Sequence, residues 1–288
     1  MILLVAGLLP YDSGKTSFAL ELIKALIDHG FRVAPFKPIA SHNAWYHYEA
    51  LINSIDYGAL IGRDIYRLAR AAGYSDRIEM LSPIDMLIAP LDPVHYFDSM
   101  QFLIDSYTTL FRQAVLLRIS MPINGELKTR HYLIRENYDG MIESVKQDVN
   151  ELIGKIGFIH ELTFEEFMNM ILDPNLYHKA DEMLGELKLK FDIVVVESFN
   201  DAATPIPSTM KSEYVFIVSP GRVLVYSGDD YAKTVEALES CMGPLSLKTH
   251  SIVALRKPLK SLAWKPKRSI FEVSDTSREA VKLILGGS

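Results

Sequence analysis

Gly7 and the run Asp12-Ser13-Gly14-Lys15-Thr16-Ser17 combine the residue types that hold a polyphosphate. Small residues let backbone N–H groups approach phosphate oxygens, a lysine neutralises the outer phosphates, and a threonine hydroxyl offers a hard oxygen to Mg²⁺. The spacing is irregular: G-x-x-x-x-G-K-[ST] would put a glycine at position 9, which is Leu9, and the glycine stands at Gly7 instead. Two more charged residues follow apolar runs. Lys37 ends residues 31–36 and Glu197 ends residues 191–196. A carboxylate at the end of a buried strand beside a phosphate loop can anchor Mg²⁺ or its waters. A lysine in the same position can neutralise charge that builds during phosphoryl transfer. The roles expected are therefore catalytic for Lys15 and Lys37, nucleotide-binding for Gly7 and residues 12–17, and metal-holding for Thr16 and Glu197. Asp64, on spacing alone, is a helix-surface residue.

These residues need a scaffold that brings strand ends together. Residues 1–6 are apolar throughout and read as a buried strand. Residues 16–29 carry apolar side chains at Phe18, Ala19, Leu22, Ile23, Leu26 and Ile27, which is helical spacing, and Gly30 stops that helix. With the strand at 31–36 this makes a strand–helix–strand unit and implies a parallel sheet. Further helices are expected at 59–72, 98–111, 140–153, 164–171, 178–189, 229–242 and 276–285. Further strands are expected at 114–120, 130–135, 191–196, 214–219, 251–255 and 269–273, the first two joined through Asn124-Gly125. In an open parallel sheet, ligands bind beyond the carboxyl ends of the strands. The Gly7–Thr16 loop, Lys37, Asp64, Glu197 and the Ser219-Pro220-Gly221-Arg222 turn are all expected there.

Composition narrows the field. The 288 residues are 49% hydrophobic and 23% charged, so a core of good size is expected. A net charge of −6 argues against a protein that coats nucleic acid. Cys241 is the single cysteine, so no intramolecular disulfide can form, which fits a reducing cytoplasm. The apolar start lacks a basic region and a small-residue cleavage pattern, so it reads as a strand, not a leader. No run of about twenty apolar residues is present, so no membrane span is expected. The histidines show no metal-binding spacing. Two segments keep two readings each. His42 and His47 flank Trp45, Tyr46 and Tyr48, either an aromatic floor for a substrate or a packed surface loop. Residues 256–268 are basic around Trp264, either a solvated loop or a contact for phosphate, base or RNA.

Further segments resemble a family. Lys37-Pro38-Ile39-Ala40-Ser41 is similar to the K-P-V-A-S-G segment of dethiobiotin synthetases. Gly62-Arg63-Asp64-Ile65 resembles their N-S-D-A stretch, and residues 82–93 resemble their N-P-Y-x-F…P-x-S-P-H segment. Residues 191–199 resemble D-W-V-L-V-E-G-A, and residues 215–225 the strand and turn that follow. The resemblance runs in register over roughly residues 1–93 and 190–255. It implies the P-loop ATPase superfamily of the dethiobiotin synthetase and cobyrinic acid synthase type. The fold it implies is α/β and three-layered, with a mostly parallel central sheet in one domain over residues 1–288 and an inserted α+β elaboration at 94–190. ATP and Mg²⁺ are the implied cofactors, with ATP favoured over GTP. The implied reaction is phosphorylation of a carboxylate or carbamate, which an amine then attacks. Carried over, Asp64 joins Thr16 and Glu197 on the metal, and Ser41, with Trp45 beside it, faces the substrate. A homodimer is the expected assembly. The chain departs from the family at Leu8-Leu9-Pro10 in a loop one residue longer, and at Ser198-Phe199, where the family has glycine after the metal carboxylate. Biotin synthesis is therefore not the expected reaction. A kinase acting on a hydroxyl and a nucleotide-controlled switch binding a protein partner are the alternatives.

Overall fold

The computed structural model describes residues 1–74, 77–123, 125–242, 247–267 and 272–286, with the backbone alone for 239–242. In chain order the elements are β1 (Ile2–Gly7), α1 (Lys15–Asp28), β2 (Val33–Phe36), β3 (Ile39–Asn43), α2 (Tyr48–Tyr57), α3 (Arg63–Ala71), α4 (Ile78–Leu81), β4 (Ile84–Ile88), α5 (Met100–Thr108), β5 (Ala114–Ile123), β6 (Glu126–Ile134), α6 (Arg135–Gly140) and α7 (Glu143–Ile156). They continue with β7 (His160–Leu162), α8 (Phe164–Ile171), α9 (Pro174–Lys190), β8 (Ile193–Glu197), β9 (Tyr214–Ser219), β10 (Arg222–Ser227), α10 (Gly228–Met242), α11 (Thr249–Leu255), β11 (Lys260–Ala263) and α12 (Asp275–Gly286). The class is α/β, with mixed sheets. No helix among the described residues is long and apolar enough to cross a membrane.

The chain forms two compact units. The first comprises Met1–Ile39, Arg67–Leu81 and Ala180–Ser288; the second comprises Ala40–Tyr66 and Ser82–Lys179. The first unit has a six-stranded sheet in the order β11-β10-β9-β1-β8-β2. β9, β1, β8 and β2 run parallel, and β10 and β11 add an antiparallel edge. Every residue of β1 and β8 is buried, which explains why both are continuous apolar runs with no alternation. α1 turns Phe18, Ala19, Leu22, Ile23 and Leu26 inward, a stripe at i, i+3, i+4 spacing. Register puts three strand ends level, since Val5 lies beside Glu197, Phe36 beside Val196, and Gly7 beside Val218.

The second unit has a five-stranded sheet in the order β3-β4-β5-β6-β7. Leu87, Val115, Leu116 and Leu133 from this sheet pack with Leu51 and Ile55 of α2 and Val145, Val149 and Leu152 of α7. β5 and β6 form the expected hairpin, with Ile123 opposite Glu126. Asn124 of the expected turn lies outside the described residues.

Several elements differ from the sequence reading. Residues 251–255 were expected as a strand and lie in the helix α11, which buries Thr249 and Ile252 three positions apart. A short apolar run does not separate strand from buried helix. The basic segment expected as a loop contains β11, where Leu262 is buried between exposed Ser261 and Ala263, the alternation of an edge strand. The polar start of the aromatic loop is part of β3, and β4 was not anticipated. The strand expected at 269–273 falls largely outside the described residues.

Candidate phosphate site

β1 ends where the sheet can no longer guide the chain. The Leu8 N–H still bonds Val218 O at 2.9 Å, and the backbone then loops to α1. Two glycines shape this loop. A Cβ on Gly7 would lie 2.9 Å from the Leu9 carbonyl oxygen, 2.6 Å from Ser13 Oγ and 2.9 Å from Lys15 Nζ, so a side chain here would force the loop backbone and the folded-back lysine to shift. Gly14, at φ 90°, is left-handed, and Asp12 is left-handed too at φ 52°. Lys15 Nζ donates to Ser13 Oγ at 3.4 Å, and Ser13 is buried. α1 begins at Lys15 with no side-chain cap and no acidic residue in its first turn, so the positive end of its dipole carries no carboxylate of its own helix. Thr16 and Ser17, in that first turn, are half-buried.

Glu197 is the centre of the arrangement. Its residue is 0% exposed and Lys37 is 4% exposed. Lys37 Nζ donates to Glu197 Oε1 at 2.6 Å, and Thr16 Oγ1 donates to the same oxygen at 2.9 Å. The second oxygen, Oε2, is buried without a hydrogen-bond partner among the described residues. Three elements (α1, the end of β2 and the end of β8) thus converge on one carboxylate, and sheet register is the reason. Phe36 pairs with Val196, so the next residues, Lys37 and Glu197, emerge side by side. Thr249 Oγ1 also donates to Gly7 O, which ties the loop to α11.

A supporting layer lies behind the loop. The Trp264 ring would meet a Cβ on Gly14 at 2.7 Å, and it stands edge-on to Phe18 with centroids 5.9 Å apart. Glu21, one turn along α1 from Ser17, is buried, and its Oε2 accepts from Ser277 Oγ at 2.9 Å, Ser274 N at 3.2 Å and Trp264 Nε1 at 3.4 Å. Trp264 is 4% exposed. The solvated loop expected around it is therefore corrected at this residue, which is part of the packing that holds Gly14.

Thr16, Lys37 and Glu197 are brought into contact in the first unit, and Lys15 immediately precedes Thr16 on α1 with its Nζ turned to Ser13. Asp64, Ser41 and Trp45 belong to the second unit. Asp64 is half-buried in the first turn of α3, Ser41 is half-buried on β3, and Trp45 is 53% exposed. The second unit also holds a buried row of charge that the sequence reading missed. Asp85 on β4 is directly opposite Arg118 on β5, which is opposite His131 on β6. Arg118 donates to Leu60 O, Ser120 Oγ and Ser82 O at 2.6–2.7 Å. His131 accepts from Leu60 N, and burial, followed by the Arg118 charge, lowers its pKa to about 4. The signal was present in the sequence as Asp85 and Arg118, each set inside an apolar strand.

The oxygen donors fit Mg²⁺. Thr16 supplies a hydroxyl, and Glu197 supplies a buried carboxylate with an unclaimed oxygen; both are hard ligands. Among the described residues no group of three or more His, Cys, Asp or Glu side chains could hold a metal by itself. Any Mg²⁺ there would share its shell with water and ligand phosphates, the usual habit of this ion. Comparison with protein families, curated proteins and solved structures found no match to this chain.

Proposed function

We propose that the chain is a cytoplasmic, Mg²⁺-dependent phosphate-loop ATPase that activates a carboxylate or carbamate-like acceptor by phosphoryl transfer. The observation that carries this reading is Glu197. Buried carboxylate oxygens are almost always hydrogen-bonded, and this one leaves Oε2 without a hydrogen-bond partner among the described residues, at a strand end beside an uncapped helix start. An acceptor oxygen would attack the γ-phosphorus, the bond to the β-bridging oxygen would break, and ADP would leave. Lys15 and the N–H groups of the loop would bind the phosphate chain, and Lys37 would face charge on the transferring group. Thr16 and Glu197 would hold the Mg²⁺, which when bound neutralises charge across the β- and γ-phosphates.

ADP formation from ATP and Mg²⁺, measured across a library of small acids, amines and alcohols, tests the proposal. Wild type should turn over with an acid acceptor, and Lys15→Ala should lose at least about a hundredfold. Turnover that survives Lys15→Ala counts against the reading, and an alcohol as sole acceptor turns it toward a kinase. A nucleotide-controlled switch is favoured by one observation, the large exposed apolar side chains of the second unit: Tyr46 is 71% exposed and Phe97 is 70% exposed. Light scattering with and without ATP decides that case, because a switch of this kind should pass from monomer to homodimer.

A further inference from the structure

The β5–β6 hairpin has two unlike faces. One face, with Leu116, Arg118 and Leu133, is buried. The other presents Ile119, Met121 and Ile123 on β5 and, directly across, Arg130, Lys128 and Glu126 on β6. Met170 and Leu176, from α8 and α9, stand over this second face and leave a cleft of about 210 Å³ within the second unit. The floor is apolar, built from Ile119, Met121, Met170 and Leu176. The walls carry three cations, Lys128, Arg130 and Lys179, against one acid, Asp173.

The charges are not balanced from within. Lys128 pairs with Glu126 at 3.1 Å. Asp173 Oδ1 is already engaged by Asn175, accepting from its backbone N–H and its side-chain amide, each at 2.9 Å. Arg130 and Lys179 have no carboxylate within ion-pair distance among the described residues. With Lys128 paired to Glu126, Arg130 and Lys179 stand against Asp173 alone, an excess of one positive charge, and an apolar floor beneath it is complementary to a molecule with an apolar body and one acidic head. Size narrows the class. Pockets for drug-sized ligands run to roughly 300–1,000 Å³. A cleft of about 210 Å³ is smaller than these, which points to a small molecule.

We propose that this cleft binds a small organic acid, a carboxylate or phosphomonoester on a short apolar body, with its head between Arg130 and Lys179 and its body on Met121 and Met170. Hexanoate and hexan-1-ol, which share a body and differ in the head, make the test. Methionines labelled with ¹³C at the methyl report on the floor by NMR. Hexanoate should shift the Met121 and Met170 signals in a saturable way at millimolar concentration. The double variant Arg130→Ala/Lys179→Ala should weaken hexanoate by about tenfold, the sum of two exposed charge contacts, and leave hexan-1-ol unchanged. Both replaced residues are exposed, so the fold should hold, and an unchanged methyl spectrum of the free variant verifies it. The proposal is overturned if hexanoate leaves both methyls in place. It is overturned equally if hexanoate and hexan-1-ol bind alike, or if the double variant binds hexanoate as wild type does.

Discussion

Replacing Lys37 by Met and Glu197 by Gln, singly and together, tests whether the pair at the strand ends is a stabilising device or a functional one. The ions are 2.6 Å apart, and the side chains are 5% and 1% exposed. At an effective dielectric constant of about 20 their gross attraction is about 6 kcal/mol. Removing two ions from water costs several kcal/mol each, so the net worth of the intact pair is close to zero. Losing one partner is a different matter. Lys37→Met leaves a fully buried carboxylate with Thr16 as its remaining donor in this contact, and a cost of about 3–5 kcal/mol is expected. Glu197→Gln leaves a buried ammonium facing an amide and should cost a similar amount. The double variant removes both charges and keeps an amide oxygen for Thr16. It should fall within about 1–2 kcal/mol of wild type, which gives a coupling energy of at least about 4 kcal/mol. Urea unfolding followed by circular dichroism measures all four proteins. Single variants costing under about 1 kcal/mol would show that the pair is not closed off from water, and the reasoning from burial would fail. The same double variant separates stability from function. It should be folded and unable to bind ATP with Mg²⁺ by calorimetry, and wild-type binding by that protein would refute the site.

Two further predictions concern the supports of each unit. Gly14→Ala puts a Cβ 2.7 Å from the Trp264 ring at a backbone φ of 90°, so it should cost about 2–3 kcal/mol by urea unfolding; combined with Trp264→Leu the costs should be less than additive, and strict additivity would show that the ring does not press on the loop. His131 has a native pKa of about 4 against 6.5 when unfolded, so the unfolded chain takes up the proton first as pH falls. Its contribution is neutral above pH 7 and costs the fold about 2 kcal/mol by pH 5, and His131→Gln should flatten that part of the stability–pH curve; a variant curve parallel to wild type between pH 7 and 5 would disprove the assignment.

How far the sequence could be read depended on where each residue lies along its element. Residues 1–7 and 193–197 were legible because an all-buried parallel strand is written as an unbroken apolar run, and the charged residue that ends it marks the sheet edge. Lys37 and Glu197 were found by that rule, and their pairing follows from register, which a list of strands does not contain. Trp264 was misplaced for the opposite reason. It directly follows β11, an edge strand whose exposed positions are Lys260, Ser261 and Ala263, so the local composition reads as solvated loop while the Trp264 ring packs on Gly14. The row Asp85, Arg118 and His131 was visible in the sequence only as isolated residues, for a third reason. A buried charge is tolerable only with partners, and the row could be seen only with the register of the β5–β6 hairpin and with β4, which was not anticipated. One physical rule covers both buried clusters. Inside an apolar strand a charged residue predicts a cross-strand partner; at the end of one it predicts a ligand or a neighbouring strand end. Arg118 obeys the first half, with Asp85 directly opposite on β4 and 3.8 Å from its guanidinium. Glu197 obeys the second half only in part, because Lys37 and Thr16 take one oxygen and leave the other open. Asp85 also buries two oxygens without a hydrogen bond among the described residues, but it stands inside a strand with His42 at 3.3 Å and Arg118 at 3.8 Å as basic neighbours, whereas the open oxygen of Glu197 lies at a strand end beside the Gly7–Thr16 loop, where on the proposed reading a magnesium ion or its water would supply the missing contact.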